Sequence, residues 1–233
     1  MTRLIYVHVP KCGGSSFGAA LRARSLLSQA TITLGQGDPA LRGEARIISD
    51  YNERRAQLHD LVNAGVKVIV GHVQYDRVLH ETTARDYAFA TILRDPIDRF
   101  VSHYHYLQRA HPDPARPATL GEFLETADAA RLASQYMFYF GGQTRTMAQD
   151  AGPVVRRAIE NLRRFSVVGD LRYPDEALGD LRGLVGWGLP HLRRNTAPPR
   201  AELSPYLRHR VRDLCAADLE IYEETLNRRE AAE

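Results

Sequence analysis

The run Pro10-Lys11-Cys12-Gly13-Gly14-Ser15-Ser16 gathers residue types that together can hold an anion. Two adjacent glycines let backbone N–H groups turn inward and approach a phosphate closely. A helix starting there adds unpaired amides and the positive end of its dipole. Lys11 can place a charge on a phosphate or on a departing oxygen, and Ser15 and Ser16 can add hydroxyl donors. In isolation the same residues also suit a plain strand-to-helix turn whose glycines only satisfy geometry. Nucleoside triphosphatases place their loop lysine directly after a glycine, as Gly-Lys-Ser/Thr. Here Lys11 precedes both glycines and the chain contains no Gly-Lys pair, which points to a phosphate loop with different chemistry.

A second candidate anion site begins at Arg94-Asp95-Pro96 and continues to Ser102-His103-Tyr104. A guanidinium at a strand end and a hydroxyl two turns into the following helix could hold a second phosphate, one that ATP does not have. The competing reading pairs Arg94 with Asp95 or Asp98 and lets Ser102 merely pack. Between the two sites stands Gly71-His72. A histidine at the carboxyl end of a strand can serve as a base near neutral pH; it can equally be a hydrogen-bonded core residue. His103 and His105 are the alternative bases, while His8 suits packing or orienting the Lys11 loop. Tyr75, Asp76 and Arg145 are candidates for an acceptor pocket on loop placement alone.

Elements that could position these residues follow from the hydrophobic pattern. Short apolar strands are expected at residues 4–9, 66–70, 87–93 and 165–169. Ser15 or Ser16 would cap a helix running to residue 27, and Asp95-Pro96 is a cap and first-turn pair for a helix to residue 109. Further helices are expected at 50–64, 120–127, 129–140, 153–164 and 174–184. A closing helix from Ser204-Pro205 carries Leu207, Val211, Leu214, Leu219, Tyr222 and Leu226 on one side. Strands alternating with helices predict an α/β fold: a single P-loop-like domain over residues 1–233, with a central parallel sheet flanked by helices on both faces. Ligands of such sheets sit outside the carboxyl ends of the strands. That places the chemistry at the loops after Val9, Val70, Leu93 and Gly169.

The bulk numbers narrow the function class. A chain of 233 residues supports one α/β core, and a net charge of +3 suits an anionic ligand but is too small to argue for nucleic acid. Lys11 and Lys67 are the only lysines among 31 basic residues, a preference that a GC-rich genome explains. Cys12 and Cys215 are far apart and show no metal-ligand spacing, and no carboxylate cluster suggests a metal. No leader-like segment precedes the first strand, and no apolar run is long enough to span a membrane. A cytoplasmic enzyme with no membrane partner is expected; the sequence gives no oligomeric state.

His8-Val9-Pro10-Lys11 with Gly13, Gly14 and Ser15, then Gly71-His72-Val73, then Arg94-Asp95-Pro96 through Ser102-His103-Tyr104, resemble the sulfotransferases that use 3′-phosphoadenosine 5′-phosphosulfate (PAPS). The likeness is to the carbohydrate branch, which includes heparan sulfate 2-O-sulfotransferase. It implies that Lys11, Cys12, Gly13, Gly14, Ser15 and Ser16 hold the 5′-phosphosulfate, and that Arg94 and Ser102 hold the 3′-phosphate. It further implies that His72 is the base and that Arg194, Asn195 and Thr196 belong to a loop covering the nucleotide. Lys11 would assist the departing PAP, and the acceptor would be a small molecule or glycan hydroxyl. Two other readings stay open on the residues alone. One is a P-loop kinase-like enzyme using ATP and magnesium, which would need a strand-terminal aspartate; the other is an inactive nucleotide-binding module.

Overall fold

The computed structural model describes residues 3–24, 28–32, 38, 40–142, 150–186, 188–189 and 203–230; within these, the side chains of residues 15, 24 and 228–230 are not described. Five strands form one sheet: β1 (Arg3–Val7), β2 (Gln29–Ile32), β3 (Val68–Gly71), β4 (Tyr87–Leu93) and β5 (Val167–Asp170), in the order β2-β3-β1-β4-β5. Every ladder is parallel, so the expected α/β class with a parallel sheet is the one observed.

Alternation along β1 shows why both faces must be covered. Leu4 and Tyr6 point to one side, against Phe17, Ala20 and Leu21 of α1 (Gly14–Arg24) and Ala177, Leu178 and Leu181 of α9 (Pro174–Val185). Ile5 and Val7 point to the other. There they join Leu58 of α2 (Gly43–Asn63), Tyr136 and Tyr139 of α7 (Gln135–Gly141), Ile159 of α8 (Gly152–Leu162) and Ile221 of α11 (Ala216–Glu230). A strand apolar on both sides is what a parallel sheet between helix layers requires. The remaining helices are α3 (Arg77–Thr83), α4 (Pro96–Ala110), α5 (Leu120–Phe123), α6 (Ala127–Ala133) and α10 (Pro205–Leu214). Of these, α4, α5, α6 and α10 share a third apolar cluster around Phe100, Phe123, Leu132 and Val211.

Strand β2 was not expected: Gln-Ala-Thr-Ile carries little apolar signal, and it forms by pairing with β3. Helix α2 begins at Gly43 rather than residue 50, and α3 is an added helix capped by Asp76, whose carboxylate accepts from the Leu79 amide at 3.0 Å. The single helix expected at 129–140 is broken at Ser134 into α6 and α7. The cause lies far away in sequence: the buried Asp218 carboxylate accepts from the Tyr136 and Met137 amides at 2.9–3.1 Å, capping a new helix start. The closing helix is likewise divided, at Cys215, into α10 and α11.

Strand order sets the site. Neighbouring strands β1 and β4 send the chain onward to opposite edges of the sheet, which makes their carboxyl ends the switch point where open parallel sheets bind ligands. Both candidate anion loops leave from those two strands.

Candidate functional site

Parallel register brings the first pair of candidate side chains together. Val7 of β1 stands opposite Gly71 of β3, and the His8 amide donates to the Gly71 carbonyl at 2.8 Å. The next residue on each strand is then a histidine, and the two rings stack at 4.2 Å between centroids. His72 Nδ1 lies 2.6 Å from the His8 carbonyl oxygen. A carbonyl only accepts, so Nδ1 carries the proton and the lone pair of the neutral ring is on Nε2. Burial holds the His72 pKa below the usual histidine value; the bond to the His8 carbonyl opposes that shift and the Arg54 charge adds to it. His72 is therefore neutral at pH 7, with its tautomer fixed. Its backbone is fixed as well, since Arg54 donates to the His72 carbonyl at 3.0 Å.

His8 joins this pair to the glycine loop. A Cβ placed on Gly14 would lie 1.8 Å from His8 Nε2, so only glycine lets α1 begin against the imidazole. Burial, then the neighbouring His72, Arg22 and Lys11, depress the His8 pKa far below its usual value. The loop itself is shaped by left-handed residues: Gly13 has φ 72° and Lys11, unusually for a side-chain-bearing residue, φ 69°. That conformation costs a non-glycine residue roughly 1–2 kcal/mol, and such outliers cluster at functional sites. Lys11 Nζ sits 4.2 Å from the centroid of the Tyr106 ring on α4.

At the second loop, Asp95 caps α4 by accepting from the Asp98 amide at 2.9 Å, with Pro96 in the first turn. Arg94 is thus left at the strand end, and its guanidinium donates to the Lys11 carbonyl at 3.4 Å. Ser102 is buried on α4, one turn before the Tyr106 that meets Lys11. His103 is also mostly buried, and burial with the Arg99 and Lys11 charges pushes its pKa down to about 3. That makes it a poor proton acceptor near neutral pH.

A family model for galactose-3-O-sulfotransferase matches residues 50–229 of this chain. The chain belongs to the galactose-3-O-sulfotransferase family. A human relative, galactose-3-O-sulfotransferase 2, is 27% identical over 172 residues, covering 67% of this chain and 43% of its own length. The chain thus spans less than half of that relative. A sulfotransferase structure from Alicyclobacillus acidocaldarius superposes with a TM-score of 0.56 at 18% identity, over 96% of this chain and 94% of its own. That likeness shows a shared fold. The family is one of the carbohydrate sulfotransferases, the branch the sequence resembles. Its matched segment contains His72, Arg94 and Ser102 but starts after the Lys11 loop.

The expected site residues fall into three groups. Lys11, Gly13, Gly14, Ser16, His72, Arg94 and Ser102 lie on the loops and adjoining turns at the carboxyl ends of β1, β3 and β4. Cys12 is on the same loop but faces the core: its thiol is fully buried, burial pushes its pKa up to about 11, and its amide donates to the Val9 carbonyl. The Ser15 side chain and Arg145, Arg194, Asn195 and Thr196 lie outside the described residues.

Tyr75 and Asp76 are used structurally. The Tyr75 hydroxyl is 2.8 Å from His80 Nδ1 within an aromatic cluster with Phe89 and Phe165. Asp76 caps α3 and pairs with Arg55 and His59. Among the described residues, the strand-terminal aspartate wanted by a magnesium kinase has a counterpart in Asp170 on β5, but its carboxylate accepts from Arg172 and Tyr222. Among the described residues, no three His, Cys, Asp or Glu side chains converge to hold a metal ion.

Sequence reasoning missed Arg54, Tyr136, Arg99 and Asp218. The last two are completely buried charges at 3.8 Å from one another. Burial pushes the Asp218 pKa up to about 6 even with the Arg99 charge and backbone amides opposing it. A charged pair at helix spacing would have been a signal, but Arg99 and Asp218 stand on α4 and α11, and no local pattern links them.

Proposed function

We propose that the protein transfers a sulfuryl group from PAPS to a hydroxyl of a galactose-bearing glycan. The supporting observation is the Arg94–Lys11 contact, which sets two anion loops side by side at the switch point of the sheet. A donor carrying phosphate on both its 5′ and 3′ oxygens suits such a pair of loops, and ATP has nothing for the second. The family match supports the sugar class of the acceptor.

In this reading the amides of Gly13 and Gly14 and the start of α1 receive the 5′-phosphosulfate, and Arg94 with Ser102 receives the 3′-phosphate. His72 Nε2 takes the proton of the acceptor hydroxyl as that oxygen forms its bond to sulfur. The bond between sulfur and the 5′-phosphate oxygen breaks, and its electrons leave with PAP. Lys11, whose ammonium lies over the Tyr106 ring beside the two loops, offsets the charge that develops there. Positioning and charge stabilisation carry most of the acceleration in group transfers of this kind.

The test is to incubate the protein with PAPS and a panel of oligosaccharides ending in galactose or in other sugars, then to read the products by mass spectrometry. Gain of one sulfuryl group on the galactose-terminated members is expected. Phosphoryl transfer from ATP and magnesium, with none from PAPS, contradicts the proposal.

A further inference from the structure

One buried hydroxyl touches both anion loops. Tyr136 is completely buried in α7, and its hydroxyl accepts from the Arg94 amide at 2.9 Å while donating to the Arg94 carbonyl at 2.5 Å. Cys12 Sγ of the first loop lies 3.6 Å from the same oxygen. A tyrosine hydroxyl has one proton and two lone pairs. Here the proton goes to the Arg94 carbonyl and one lone pair to its amide, so the residue between β4 and α4 is gripped on both sides of its backbone.

Tyr136 is itself anchored from behind. Its amide is held by Asp218 of α11, and Asp218 faces Arg99 of α4, whose guanidinium lies 5.7 Å from the Tyr136 ring centroid and donates to the Leu132 carbonyl. Asp218 of α11 therefore reaches the two loops through the Tyr136 side chain.

We propose that Tyr136 is a positioning residue that sets the spacing between the Lys11 loop and Arg94, and so selects a donor that spans both. This rests on the reading of the two loops as one PAPS site. A ligand with a single phosphate needs only one loop and is indifferent to their separation; a ligand with both phosphates is not.

Tyr136→Phe removes the hydroxyl and keeps the ring in the core. Tyr139→Phe is the matched control: Tyr139 is as buried, on the same helix, and its hydroxyl meets Tyr51 at 2.6 Å rather than either loop. Binding of PAP and AMP by calorimetry and amide exchange by mass spectrometry or NMR are measured on both variants. With one hydrogen bond to the backbone lost on each side of Arg94, its amide should exchange about tenfold faster in Tyr136→Phe. PAP should bind about tenfold more weakly, with AMP changed by no more than about twofold. Tyr139→Phe should leave the Arg94 amide and the PAP-to-AMP ratio as in the wild type.

The proposal is overturned if Tyr136→Phe leaves Arg94 exchange and that ratio unchanged, or if Tyr139→Phe lowers the ratio equally. The exchange measurement needs no ligand. A wild type that fails to prefer PAP would therefore count against the donor reading, while the Arg94 amide would still decide the role of Tyr136.

Discussion

The loop at Lys11 takes its shape from its own backbone, whereas the loop at Arg94 is held by side chains distant in sequence. The first needs left-handed Lys11 and Gly13 and a bare Gly14 against His8. The second needs Tyr136, 42 residues on, and behind it Asp218, a further 82 residues along. The two regions also divide the proposed labour. Lys11, His8 and His72 cluster where bonds would be made and broken; Arg94 and Ser102 would recognise the nucleotide. A strained local loop suits close approach to a reacting group, and a rigid, remotely braced one suits discrimination.

If that division holds, substitutions on the two sides should fail differently. The largest effect belongs to His72→Ala, which should cut turnover by about 10²–10⁴-fold while PAP affinity stays near wild type. Because the His72 pKa is depressed, the wild-type rate should rise with pH through a midpoint below 6.5 and level off above it. A variant that loses PAP binding together with turnover would erase the distinction between the two regions.

Arg94→Ala should do the reverse, weakening PAP by about tenfold or more, the worth of a charge-assisted hydrogen bond, with AMP little changed. Parallel losses for PAP and AMP would make Arg94 a structural residue. Gly14→Ala sharpens the comparison from the other side. The added methyl meets the His8 ring, and overpacking of this kind costs about 1–3 kcal/mol. In a His8→Ala background the same change should cost much less, a coupling that a double-mutant cycle of thermal unfolding would read. Additive losses would place the strain elsewhere.

The smallest expected effect is on stability against pH. His8, His72 and His103 all have depressed pKa values, so below pH 6.5 the unfolded chain takes up protons that the folded one resists. Stability should fall as pH drops, for His103 across the interval from 6.5 to about 3. Asp218 acts with the opposite sign: between 3.8 and about 6 the folded state holds its proton more firmly, so its contribution declines as pH rises through that range. His103→Gln should flatten the acid limb of a plot of Tm against pH, and an unchanged limb would exclude His103 from it.

What could be read from the sequence follows the same divide. Pro10 to Ser16, Gly71-His72 and Arg94-Asp95-Pro96 are local patterns whose residue types state their chemistry, and the strands before them are strongly apolar. Parallel neighbours in register then made His8 and His72 partners, which strand assignments alone could not reveal. Strand β2 was invisible because Gln29 and Thr31 borrow their order from β3. The break at Ser134 and the burial of Arg99 were invisible because both answer to Asp218, on another helix. Asp76 reads as a pocket candidate because a helix cap and a ligand contact use the same residue type; the structure uses it to cap α3.

If two anion loops act on one donor, PAP and AMP must differ in affinity, and calorimetry of the wild-type protein without magnesium measures that difference. PAP, with phosphates for both loops, should bind at least about tenfold more tightly than AMP. Equal affinities for PAP and AMP would contradict the account.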